Sequence, residues 1–259
     1  MLRYILLPLV GFLIGLLVIS LGGGGGMFYV GVLTAFFNIP PAIAASTSLA
    51  TMIPAVALGS YSHWKAGNVN MKVGSIMLAG GMVGSVIGSI FSSKLPENLY
   101  NKITGAVMLL MCMQMLISFL QKKREKDSAT QKTGQNSSWT VVLKAIGVGL
   151  LGGVMSGLVG ISGGGPIIAG LIILGCGALE TVGTSVFVLL GISIVGFLMH
   201  LGMGSVEWKL VGLLVIGTMI GSFVGPILLK RIDKAKMEKI LQPILLLMTT
   251  AMGILMFFK

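Results

Sequence analysis

The sequence predicts an all-α, polytopic integral membrane protein of two homologous repeats, each with four spanning helices and one short, broken half-helix. Three observations predict it. The first is composition: 259 residues are 55% hydrophobic and 10% charged, with a mean hydropathy of +1.00, whereas soluble domains carry about 25% charged residues. The second is a set of apolar runs at 2–21, 43–62, 73–91, 103–120, 141–161, 181–201, 210–229 and 240–258, each close to the roughly 20 residues that cross a bilayer. The third is duplication. Gly22-Gly23-Gly24-Gly25-Gly26 closes one apolar run and Gly163-Gly164-Gly165-Pro166 closes another, and a hydroxyl cluster follows each, Ser46-Thr47-Ser48 or Thr184-Ser185. From there the halves align without gaps at an offset of 137: His63 falls on His200, Gly67 on Gly204, Lys72 on Lys209 and Lys94 on Arg231. Helix-breaking glycines inside a duplicated apolar chain are a signature of secondary transporters.

Taken in order, the first repeat covers 1–120. Its opening, Met1-Leu2-Arg3 and then an apolar run, superficially resembles a signal peptide, but no A-x-A-like site follows and the run has a counterpart at 141–161, so it reads as part of the mature fold. Residues 27–38 and 166–176 are the short segments; about 11 residues of helix reach only half of the hydrocarbon thickness. Residues 121–140 are the one sustained polar stretch and read as a mobile, basic linker. The second repeat covers 141–259.

Two topologies compete. If each short segment runs on into the next helix, every repeat crosses four times and the repeats are parallel. If it returns as a half-helix, the crossings are odd and the repeats are inverted. In the first case the basic residues divide 11 to 7 between the faces. In the second, Lys65, Lys72, six in and beside the linker (Lys122, Lys123, Arg124, Lys126, Lys132, Lys144) and five from Lys230 to Lys239 share one face, 13 against the 5 of Arg3, Lys94, Lys102, Lys209 and Lys259. The sharper positive-inside bias favours inverted repeats with both termini outside. This clustering also explains the net charge of +11 without invoking nucleic acid. Glycines spaced by four, at Gly80, Gly84 and Gly88, at Gly217, Gly221 and Gly225, and at Gly149, Gly153 and Gly157, mark helix faces for close packing in lipid.

Backbone N–H groups freed by a glycine run need protein or a watery cavity around them. Helices are predicted to restart at Met27 and at Pro166, and the positive ends of two such helices suit an anion. Gly23, Gly24, Gly25 and Gly26 with Gly163, Gly164 and Gly165 are therefore candidate substrate-binding residues through their amides; the simpler reading is a tight hairpin. Thr47, Ser48, Thr184 and Ser185 are candidate hydroxyl donors to the same anion, the alternative being helix caps or bonds back to helix carbonyls. His63 and His200 are candidates for proton coupling, or else interfacial residues like Tyr61 and Trp64. Glu180, with Ile43 at the equivalent place, reads as a loop residue or a proton carrier. Gly160-Ile161-Ser162-Gly163 together with His200 offers an enzymatic alternative, a rhomboid-type serine–histidine dyad, but Ser162 aligns with Gly23 and so reads as part of a glycine loop. The glycine runs lead to no G-K-[ST], which argues against a P-loop ATPase. Cys112 and Cys176 have no metal-ligand spacing, and the sequence implies no cofactor and no metal.

The glycine-rich breaks at 21–26 and 163–166, the motifs Ala45-Ser46-Thr47-Ser48-Leu49 and Val182-Gly183-Thr184-Ser185-Val186, and the turns Gly67-Asn68-Val69 and Gly204-Ser205-Val206 together resemble the sulfite exporter TauE/SafE family over nearly the whole chain. The first half departs in having Met27 where the second has Pro166. The resemblance implies a transporter of sulfite, sulfonates or related small anions in a prokaryotic plasma membrane. On this reading the partners are the lipid bilayer, a small anionic substrate, a coupling proton or sodium ion, and a second copy in a homo-oligomer. A passive anion channel and a non-transporting membrane partner are the other classes to be separated.

Overall fold

The computed structural model describes residues 6–21, 24–124, 138–202, 206–229 and 234–258; for 17–21, 118–124, 138, 225–229, 234–242, 244 and 245 only the backbone course is described. Among these residues there are ten helices and no strand. They are α1 (Leu7–Leu21), α2 (Gly26–Phe37), α3 (Pro41–Lys65), α4 (Met71–Ser92), α5 (Glu97–Arg124), α6 (Ser138–Val159), α7 (Gly164–Ile173), α8 (Ala178–Leu201), α9 (Trp208–Leu229) and α10 (Lys234–Phe258). Helices α3, α4, α5, α6 and α8 are long and apolar enough to cross a membrane. This is a multi-pass membrane protein. Most of the predicted linker lies outside the described residues; α5 runs four residues past its expected end at 120, and α6 begins at Ser138, before the expected 141.

Local chemistry sets the boundaries. Gly25 and Gly163, both left-handed (φ 67° and 57°), precede α2 and α7. The helices restart at Gly26 and Gly164 rather than at Met27 and Pro166, because glycine joins a first turn as readily as it breaks one. Pro166 still falls within that turn, where its missing N–H costs nothing. Helix α2 stops at Asn38, which is left-handed at φ 51° and turns its N–H back to the Leu33 carbonyl. The Pro40-Pro41 pair then starts α3, with proline at the first helical position. Asn70 caps α4, its Oδ1 accepting from the Val73 N–H at 3.1 Å.

The repeats are interleaved. The most extensive pairings are α4 with α6 and α1 with α9, each joining helices of different repeats. Glycine makes them possible: a Cβ at Gly153 would collide with the Gly81 carbonyl, one at Gly84 with the Leu150 carbonyl, and one at Gly221 with the Phe12 carbonyl. Gly225 lies in α9 where only the backbone is described. The equivalent helices also pair. Gly183 of α8 lies against His63 and Asn68, at and just past the end of α3, whereas Gly196 lies against Leu49 near the start of α3. Gly105 of α5 meets Phe257 of α10, and Cys112 meets Leu246 and Thr250. Both pairs therefore run antiparallel. One core cluster gathers Tyr29, Leu33, Met52, Met108 and Leu214, and a second gathers Met77, Ile167, Leu171, Leu189 and Ile192.

Candidate functional site at the crossing of two helix breaks

The two glycine breaks meet. A Cβ added at Gly24 would lie 2.6 Å from the Cβ of Ser162, and one at Gly26 would lie 2.6 Å from the Ser162 nitrogen and 3.0 Å from the Gly160 oxygen. Gly24 (φ 71°), Gly25 and Gly160 (φ 72°) are all left-handed, a conformation that costs an L side chain about 1–2 kcal/mol. The contact is therefore specified twice, by backbone conformation and by lack of space. From this crossing α2 and α7 depart, each with its N-terminal end at the break.

Ser48 fastens the crossing. Its Oγ lies 3.1 Å from the Gly26 carbonyl of its own repeat and 3.1 Å from the Gly160 carbonyl of the other. The side chain is fully buried, so its single proton is shared between two acceptors that no water reaches. Tyr29 holds α2 from the side: Thr218 Oγ1 donates to the Leu214 carbonyl, which leaves the tyrosine hydroxyl as donor to Thr218 at 2.6 Å.

The candidate residues divide. Gly24, Gly25, Gly26, Ser48 and Gly163 lie in or beside the crossing, and Gly164 and Gly165 open the helix that leaves it. Gly23 lies outside the described residues. Ser185 bonds back to the Val182 carbonyl at 2.9 Å. Thr47 and Thr184 serve another purpose: Thr47 Oγ1 accepts from the Glu207 N–H at 3.3 Å, and Thr184 Oγ1 accepts from the Asn70 N–H at 2.9 Å. Each hydroxyl receives the chain just ahead of a helix of the opposite repeat.

His200 is buried, with Nε2 held 2.8 Å from the Gly157 carbonyl. His63 is half-buried, and its Nδ1 is buried with no partner among the described residues. Glu180 belongs to the first turn of α8, where its carboxylate accepts from Asn70 Nδ2 at 2.7 Å and from the Gly177 N–H at 3.3 Å. Sequence reasoning passed over Gln114, whose Nε2 donates to the Gly165 carbonyl at 3.0 Å from α5. A lone amide inside the apolar run 103–120 was the available signal. Gly160 was singled out only as part of the G-x-S-G motif, not as a contact between the two breaks. A cavity of about 290 Å³ opens at the far end of α2, among Thr34, Asn38, Glu97 and Asn101.

A duplicated bundle of membrane helices, with interrupted helices meeting inside it, defines a class: multi-pass membrane transporters. The chain belongs to the sulfite exporter TauE/SafE family, whose profile matches residues 7–256. It is 34% identical over 221 residues, 85% of this chain and 88% of the relative, to the probable membrane transporter protein YdhB of Bacillus subtilis. A probable membrane transporter protein of Haemophilus influenzae is 30% identical over 203 residues, 74% of this chain and 73% of the relative. The probable membrane transporter protein YunE of Bacillus subtilis is 24% identical over 259 residues, 94% of this chain and 95% of the relative. No solved structure matches the chain.

Proposed function

We propose that the protein is a secondary transporter that carries a small anion, of the sulfite, sulfonate or related organic class, across the plasma membrane by alternating access between inverted repeats. The meeting of the two breaks carries the reading. Gly24 of one repeat packs on Ser162 of the other, so the amide-bearing ends of α2 and α7 converge where an anion can be held without a buried lysine or arginine. The antiparallel pairing of α3 with α8 and of α5 with α10 supports the inverted arrangement. So does the division of basic residues, which puts the linker in the cytoplasm. The sulfur-anion class comes from the family.

For proton coupling, His63 is better placed than His200, since its Nδ1 is not committed to a carbonyl. The test is a flux screen in proteoliposomes with sulfite, thiosulfate, sulfonates and carboxylates, with and without a pH or sodium gradient. The expected result is saturable flux of at least one sulfur anion that responds to a gradient. Flux that never saturates would make the protein a channel, and no flux with any anion would remove the transport reading. Replacing Gly24 with valine should abolish flux in protein that still inserts.

A further inference from the structure

We propose that Thr184, Asn70 and Glu180 at one face, and Thr47 and Glu207 at the other, are the two gates of the transport cycle, the first gate being the tighter. The inference rests on the transport reading above. The two constellations are the same contact made twice. Thr47 and Thr184 are equivalent at the offset of 137, as are Asn70 and Glu207, and in each case a main-chain N–H just ahead of α4 or α9 donates to a threonine hydroxyl of the opposite repeat. Both threonines are fully buried. Neither contact lies within one repeat, so each is an attachment point between the two halves.

Their positions give them opposite roles. Because α3 and α8 run antiparallel, Thr184 near the start of α8 meets the chain that follows the end of α3, and Thr47 near the start of α3 meets the chain that follows the end of α8. The latches thus stand at opposite ends of this central pair, and between them lies the contact of Gly24 and Gly26 with Ser162, which also touches Met52 of α3 and Leu189 of α8. Rocking one repeat against the other about that contact opens one end while holding the other closed, so the latches must release in turn. Pro54 and Gly191, equivalent at the same offset and each near the middle of its helix, weaken α3 and α8 where such a motion bends them.

The latches are not of equal strength. At Thr184 the bond is 2.9 Å and Asn70 adds its side-chain amide to the Glu180 carboxylate at 2.7 Å, a charge-assisted bond. At Thr47 the bond is 3.3 Å, and Ile43, which has no acceptor in its side chain, occupies the place equivalent to Glu180. The Thr184 gate therefore opens less readily than the Thr47 gate.

Paired spin labels read this directly on purified protein in which Cys112 and Cys176 have been replaced. One pair, at Met71 and Leu179, spans the Thr184 gate; its exact counterpart by repeat offset, at Trp208 and Ala42, spans the Thr47 gate, and all four side chains are exposed. Glu180→Ala should raise the open fraction at the first pair by about threefold to tenfold, as expected for the loss of one or two hydrogen bonds, without opening the second pair. Thr47→Val should do the converse. Glu180→Gln, which keeps an acceptor for Asn70, should stay near the parent. Should Glu180→Ala fail to insert, Thr184→Val and its rescue by Thr184→Ser test the same gate. Unchanged distances at both pairs, or both faces loosening together in any of these variants, would overturn the proposal. The distances are measured without substrate, so a protein with no anion flux but with gates that respond separately would sink the transport reading alone.

Discussion

Ser48 has one hydroxyl proton and two carbonyls, from different repeats, to give it to. Ser48→Ala should leave a buried acceptor unpaired, at a cost of about 1–3 kcal/mol, and lower flux more than it lowers the melting temperature; equal losses in both would make the serine a packing residue only. Gly24 is constrained more severely, by a left-handed backbone and by Ser162. Gly24→Ala should cost about 1–2 kcal/mol in conformation alone, seen as a lowered melting temperature in inserted protein. Cys176, in the turn between α7 and α8, has its thiol pushed above the ordinary range by burial and by the Glu180 carboxylate. Maleimide should therefore modify it slowly at neutral pH and faster as the pH rises, because the thiolate is the reactive form. Equal rates at pH 7 and pH 9 would place it elsewhere. At this scale the sequence was most informative about glycine and least about hydroxyls. A left-handed turn demands glycine wherever it occurs, but a buried hydroxyl bonds whatever the fold brings to it. Hence Ser48 joins the breaks, whereas neighbouring Thr47 holds Glu207.

Among the elements, the glycine faces are the most demanding. A Cβ at Gly153 or Gly84 would strike main-chain carbonyls, which cannot turn aside as a side chain can. Gly153→Ala should destabilise the bundle by about 1–3 kcal/mol, measurable as a lower melting temperature in detergent. Gly147→Ala, at a position with open space around it, should be close to neutral and serves as the control. Spacing by four identified these faces correctly as packing surfaces. It could not identify the partner, since a glycine face admits any helix that can approach it. The half-helices were legible from length alone, and their first residues were missed because glycine both ends and begins a helix.

For the molecule as a whole, the five described helices of each half were readable from the long apolar runs and the two short segments, since those lengths follow from the bilayer rather than from packing. The interleaving of the repeats was not: which helix of one half lies on which helix of the other depends on contacts across more than seventy positions (Met77 with Gly149, for example), and no local pattern encodes them. The topology makes a simple prediction. A cysteine placed in the linker, at Ser128, should be labelled only after the membrane is permeabilised, and one at Ser93 should be labelled in intact cells. The reverse pattern would invert the assignment of faces, and a shared pattern would mean that α5 does not cross the membrane.

The pairing of α4 with α6 has a consequence for how the protein is made. When the first repeat leaves the ribosome, the face of Gly80, Gly84 and Gly88 has no partner, because Ile146, Leu150 and Val154 have yet to be synthesised; α1 waits longer still, until Leu214 and Thr218 of α9 have been made. The early helices must therefore sit in the bilayer as loose neighbours, and the bundle can close only near the end of translation. Either half expressed alone should insert but find nothing to close upon, and the two halves supplied together as separate chains should recover the fold that neither has by itself.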